Sequence, residues 1–294
     1  MPDTALDSDR SMPLNFSFEK LFAGKWIAGA HMEDAIDRAR RLNRHGIGTI
    51  LNYLGEDFKD KKDTQDAVST YISLIKKIHD GNVRADIAVK PTQIGLSISY
   101  MYAAKNYSAI LEYARKNGVF VWLDMESHRY VEDTIKLYLE HLSSHKKKDT
   151  GICIQSYLRR SRRDISKIVK RNGVIRLVKG AYKESDSIAY ANRAEVTENY
   201  SKLMKYLFAH ADRFTIATHD MKMIELALSL DRSMHKDMTL AMLNGIRNRY
   251  ALSIAKKENV YIYVPFGSRW VDYSIRRLRE LSNAVIIVRS LFSR

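Results

Sequence analysis

Near its C-terminal end the chain places Tyr273, Arg276, Arg277 and Glu280 at i, i+3, i+4 and i+7, on one helix face opposite Val271, Ile275 and Leu278. A solvated helix face normally mixes Lys and Glu, whereas here an aromatic ring, two adjacent guanidiniums and a carboxylate share one stripe. Paired guanidiniums present a fork of donors suited to a carboxylate or a phosphate. A basic, solvated face is the competing reading of that helix. A second stretch carries comparable information. In Ile175-Arg-Leu-Val-Lys-Gly-Ala-Tyr182, Arg176 interrupts a strand that otherwise reads apolar. A guanidinium there is costly unless it points into a polar mouth and meets a partner. Gly180 permits backbone to approach a ligand closely.

These residues need elements to position them. Short apolar runs at 46–54, 85–89, 119–123, 151–154, 174–178, 214–217, 238–243 and 260–264 read as buried parallel strands. Helical patterns lie between them, including 63–79, 103–117, 131–143 and 199–210, with 16–22 and 33–43 ahead of the first strand. Eight strand–helix units in this length predict an α/β fold, a (βα)8 TIM-type barrel with a short N-terminal helical arm. We expect one domain over 1–294, with the arm and its helices at 1–45 and the barrel at 46–294. A doubly wound sheet would call for a glycine-rich Gly-x-Gly-x-x-Gly turn after an early strand, and none follows a strand here.

A barrel locates its chemistry just beyond the C-terminal ends of the strands. There the chain sets Lys90 after strand 2, and Asp124, Met125 and Glu126 after strand 3. Gln155, Tyr157 and Arg160 follow strand 4. Arg176 lies within strand 5, with Lys179, Gly180, Ala181 and Tyr182 after it. Thr218 and His219 follow strand 6, and Tyr263 lies at the end of strand 8. Polar groups from six strands thus converge on one rim. Singly, each has a plain alternative: Lys90 a solvated loop lysine, Asp124 a helix cap, His219 a strand-end packing residue. Their convergence is what argues for a site.

Composition narrows the class. The formal net charge of +15 raises the question of a polyanion partner. The basic residues are scattered, however, with runs at 146–148 and 159–163 where helices meet loops. Solvated helix faces account for them, which argues against a nucleic-acid partner. The single cysteine, Cys153, excludes an intrachain disulfide and a cysteine-based metal cluster, and its apolar neighbours mark a buried strand thiol. With no secretory signal and no uncharged apolar run long enough to span a bilayer, the expected location is the cytoplasm.

Val89-Lys90, Leu123-Asp-Met-Glu126, Ile154-Gln-Ser-Tyr157, Arg176 to Tyr182, Ala217-Thr-His-Asp220, Val264-Pro-Phe-Gly267 and the Arg276-Arg277 helix together resemble the proline dehydrogenase family. The resemblance runs in order from about 30 to 280. It implies a flavoenzyme holding FAD non-covalently across the rim and oxidising L-proline to Δ1-pyrroline-5-carboxylate, with a quinone taking the electrons. On that resemblance Arg176 and Asp124 are catalytic, Arg176 against the reactive edge of the flavin. Met125, Gln155, Lys179, Gly180, Ala181, Thr218, His219 and Glu280 would hold the cofactor. Arg276, Arg277 and Lys90 would bind the substrate carboxylate, with Tyr263 and Tyr273 packing its ring. No metal is implied.

The chain departs from the family pattern in places. Lys183 stands where bifunctional relatives often carry Trp, and the 267–273 loop is shorter, both as in the monofunctional branch. Ala241 stands where Gln is expected. The chain stops soon after the Arg-Arg helix, so no aldehyde-oxidising domain is expected. The basic surface would suit visits to an anionic membrane. Hydroxyproline is the neighbouring substrate. The rival classes are a metal-dependent barrel hydrolase, for which only Asp124, Glu126 and His219 qualify as rim ligands, and a non-catalytic binding barrel.

Overall fold

The computed structural model describes residues 26–144 and 148–269. Within them eight parallel strands close into a barrel in chain order. They are β1 (Gly48–Tyr53), β2 (Ala85–Val89), β3 (Val121–Leu123), β4 (Thr150–Gln155), β5 (Val174–Val178), β6 (Arg213–Ala217), β7 (Asp237–Leu243) and β8 (Val260–Phe266). Closure comes from β8 pairing with β1, in the register Ile50 against Tyr263. Helix α1 (Met32–Asn43) precedes the barrel. The helices α2 (Lys61–Asp80), α3 (Tyr100–Lys116), α4 (His128–Ser144), α5 (Ser161–Val169), α6 (Arg193–His210), α7 (Met221–Met234) and α8 (Asn248–Ile254) each follow one strand, from β1 to β7. The expected helices over 16–22 and after β8, the latter with Tyr273, Arg276, Arg277 and Glu280, lie outside the described residues.

The strands are continuous apolar runs because both faces are buried. Outward residues such as Leu51, Ile87, Ile152, Leu177, Ile216, Leu240 and Ile262 pack under the helices. Each such side chain contributes about 1.5–3 kcal/mol on burial. The inward residues Ile50, Ala88, Trp122, Val174 and Ala241 fill the barrel itself. Ala241 therefore adds to an apolar layer and offers no side-chain hydrogen bond.

Boundaries moved where local chemistry outweighed periodicity. Helix α6 begins at Arg193, six residues before the expected start, because Asn192 caps it by accepting from the Ala194 backbone at 2.8 Å. Its first turns are largely exposed and carry no apolar period. Strand β3 is shorter than expected, its ladder starting at Val121. A 3-10 turn over Pro91–Ile94, started by its proline, carries the chain away from β2 directly after Lys90.

The described part of the arm, from Trp26 onward, packs on the barrel. Ala28 N–H donates to Pro265 O at 2.9 Å, and Gly267 N–H donates to Gly29 O at 3.0 Å. Trp26 and Ile27 thereby join Leu54, Leu243 and Ile246 in a cluster against Tyr263, at the C-terminal rim.

Candidate active site

Strand alternation turns Asp124, Gln155, Arg176 and Tyr263 inward, and the barrel's stagger brings them together at its mouth. Arg176 is 3% exposed and Asp124 6%. Arg176 Nη2 donates to Asp124 Oδ1 across β5 and β3, and the other carboxylate oxygen accepts from the Tyr263 hydroxyl at 2.8 Å. The cost of an arginine inside an apolar strand is thus offset by a buried counter-charge. Burial disfavours the charged guanidinium, but Asp124, Cys153 and Tyr263 outweigh it and move its titration upward. Asp124 has no role as a helix cap, because both its oxygens are held by other elements.

Lys90, 9% exposed, enters from β2. Burial favours its neutral amine, yet Tyr182, Asp124, Glu126 and Glu56 prevail and hold it as an ammonium, titrating above the ordinary lysine range. Among the described residues its ion-pair partner is Glu56, at 3.9 Å, which also accepts from the Tyr182 hydroxyl at 3.1 Å. Glu126 is committed elsewhere: it accepts from Thr92 N–H at 2.8 Å and from Thr92 Oγ1 at 2.7 Å, locking the turn that presents Lys90. Burial raises the Glu126 pKa, with Lys90 and Thr92 opposing the rise.

On the other wall, Gln155 Nε2 donates to the carbonyls of Met125 (3.2 Å) and Glu126 (3.3 Å). Its Oε1 is buried with no hydrogen-bond partner among the described residues, as are Nε and Nη1 of Arg176. An acceptor and two donors on adjacent strands, without partners among the described residues, are the complement that a flat heterocycle with its own N–H and carbonyl groups, such as a flavin ring, would need. Lys179 donates to Asp220 Oδ2 (2.9 Å) and Thr197 Oγ1 (3.0 Å). Gly180 has φ +116°, and a Cβ there would lie 2.1 Å from the Tyr157 ring. The close approach it permits in this structure is to that ring. Ala181 follows, partly buried at the rim.

Thr218 Oγ1 accepts from the Asp220 backbone at 3.1 Å, and His219 Nε2 accepts from Leu243 N–H at 3.1 Å, which fixes the imidazole with its proton on Nδ1. Asp124, Glu126 and His219, which a metal-dependent hydrolase would need to converge, therefore serve three different partners. Among the described residues no group of three His, Cys, Asp or Glu could hold a metal ion.

A family model described as proline dehydrogenase matches residues 35–287. The chain belongs to the proline dehydrogenase family. It is 31% identical over 265 residues to proline dehydrogenase 2 of Bacillus subtilis, covering 89% of this chain and 87% of that protein. It is 29% identical over 277 residues to the proline dehydrogenase of Deinococcus radiodurans, covering 92% and 89%. Among solved structures, proline utilization A from Bdellovibrio bacteriovorus, inactivated by N-propargylglycine, superimposes with a TM-score of 0.83 at 22% identity. That match covers 93% of this chain and 34% of the larger protein. It shows the shared barrel.

In this proline dehydrogenase-family chain the described rim also holds residues that the sequence reading passed over. Glu56 follows β1, a strand end that contributes no candidate to the sequence pattern. A carboxylate three residues past the strand end at Tyr53 is the available signal. Trp26 and Ile27, which reach the rim from before the barrel, carry no signal in strand–helix spacing.

Proposed function

We propose that this chain oxidises L-proline to Δ1-pyrroline-5-carboxylate, with non-covalently bound FAD as the immediate electron acceptor and a quinone beyond it. The observation that carries the reading is the buried Arg176–Asp124–Tyr263 set beside Gln155, with partnerless polar atoms on Arg176 and Gln155, in a chain of this family. When bound, FAD supplies the acceptor for the two electrons leaving the substrate.

The protein's own groups bind, orient and exclude water. Arg176 and Gln155 would hold the flavin ring, Arg176 supplying a fixed positive charge where negative charge accumulates. Asp124 fixes the guanidinium, and through its second oxygen fixes Tyr263, whose ring would pack against the pyrrolidine. Lys90, held as an ammonium, would face the substrate carboxylate together with Arg276 and Arg277. An anchor at that end determines which ring carbon faces the acceptor. Substrate carbon loses hydrogen with its electron pair and nitrogen loses a proton, leaving the C=N bond. No nucleophile is required. Met125, Lys179, Gly180, Ala181, Thr218, His219 and Glu280 would complete the cofactor's cradle, Lys179 and His219 through the loops they brace.

The purified protein, mixed with L-proline under nitrogen, tests this reading by its visible spectrum. Flavin absorption that bleaches supports it, and flavin that stays oxidised with proline but bleaches with hydroxyproline moves the substrate. A basic surface and a quinone acceptor together would bring the protein to an anionic membrane face, which co-sedimentation with anionic vesicles tests.

A further inference from the structure

One layer deeper in the barrel than Asp124, the side chain of Trp122 meets Arg176. The guanidinium carbon lies 5.2 Å from the Trp122 ring and equally far from the Tyr263 ring. Among the described residues Arg176 has one hydrogen bond to an oxygen, from Nη2 to Asp124, while Nε and Nη1 meet no nitrogen or oxygen partner. The Cys153 thiol beside them is a weak acceptor. One strong bond and a weak thiol contact leave the guanidinium free to tilt about the bond to Asp124, so its plane is set by the faces it lies against.

The indole is itself immobilised. Its Nε1–H donates to Asp86 Oδ2 at 2.9 Å, so turning the ring would strand a buried donor. Its six-membered ring lies on bare backbone at Gly151, where a Cβ would come within 2.4 Å. Phe120 packs on it with ring centroids 4.9 Å apart. Arg84 beside β2, Arg176 on β5, Arg213 on β6 and Tyr261 on β8 also surround the Asp86 carboxyl. Burial pushes Asp86 up to about 6 against the Trp122 hydrogen bond and these arginines. Either protonation state retains an oxygen able to accept the indole N–H.

We infer that Trp122, held by Asp86, is a positioning residue for Arg176: the indole face sets the tilt of the guanidinium about its bond to Asp124. This rests on Arg176 being the cation against the reacting centre, as proposed above. The Trp122→Leu variant removes the ring, and Trp122→Phe keeps a ring face while losing the N–H. Asp86→Ala keeps the indole but frees it.

The Arg176 Nε–H resonance of the purified protein, assigned with Arg176→Lys, reads the guanidinium directly, and steady-state kinetics with L-proline read its consequence. In Trp122→Leu the resonance exchanges with water at least about tenfold faster and kcat falls by at least about tenfold, while KM changes less than about threefold, as expected of a misplaced group. Trp122→Phe recovers most of both losses, and Asp86→Ala shows them in part. An Arg176 resonance unchanged in Trp122→Leu overturns the inference, as do equal losses in the Leu and Phe variants. An unperturbed Asp86→Ala overturns the role of Asp86. If L-proline is no substrate but the resonance follows this order, the functional reading falls and the positioning role stands.

Discussion

Removing Asp124 should expose how much the site depends on one buried ion pair. Asp124→Ala leaves the Arg176 guanidinium enclosed by Trp122, Cys153 and Tyr263 without its counter-charge. An uncompensated buried charge costs about 3–5 kcal/mol. In a domain of this size that lowers the melting temperature on the order of 6–15 °C. Arg176→Met removes the charge from the other side and leaves Asp124 with the Tyr263 hydroxyl, at a smaller cost. The double variant replaces the pair with apolar groups and relieves the unpaired charge. It should therefore be more stable than the sum of the singles by roughly 2 kcal/mol or more. Urea denaturation of the four proteins without added cofactor gives the cycle. A cost below about 1 kcal/mol for Asp124→Ala would refute the reasoning, and so would additivity within about 0.5 kcal/mol.

Other predictions follow from single contacts. Gly180→Ala places a Cβ 2.1 Å from the Tyr157 ring on backbone at φ +116°, and should cost about 2 kcal/mol or more in thermal unfolding. Asp86 titrates at about 6 in the fold against an ordinary value near 3.9, so its favourable contribution is complete below about pH 4 and is lost as pH rises through 6. Asp86→Asn should accordingly gain on the order of 1–3 kcal/mol relative to the parent between pH 4 and pH 8, read from denaturation curves at both. Arg276→Ala or Arg277→Ala should raise KM for L-proline by at least about tenfold with flavin content nearly unchanged. Loss of flavin with KM intact would reverse the clamp assignment.

The barrel was legible because its signals are local. Runs such as Val174 to Val178 are too apolar and too short for anything but strands buried on both faces, and their ends mark the rim without reference to function. Arg176 stands out because a charge in such a run needs a partner, and Asp124 at the end of β3, two strands away, supplies it. What escaped depends on contacts between distant segments. Nothing in the local pattern indicates that Trp122 lies against Arg176, since the packing depends on the absence of a side chain at Gly151. Gly180 read as room for a ligand, whereas the Tyr157 ring takes the space. Trp26 reaches Tyr263 because the arm pairs with the end of β8, a contact between segments more than two hundred residues apart. Lys179 read as a cofactor-facing cation, and its hydrogen bonds to Thr197 and Asp220 depend on how α6 and α7 meet.

The most direct test of the account is anaerobic titration of the purified protein with L-proline, followed by its absorption spectrum. The account predicts a flavin spectrum bleached stoichiometrically by L-proline, with Δ1-pyrroline-5-carboxylate formed in equal amount. A protein that carries no flavin and binds none when FAD is added would contradict it.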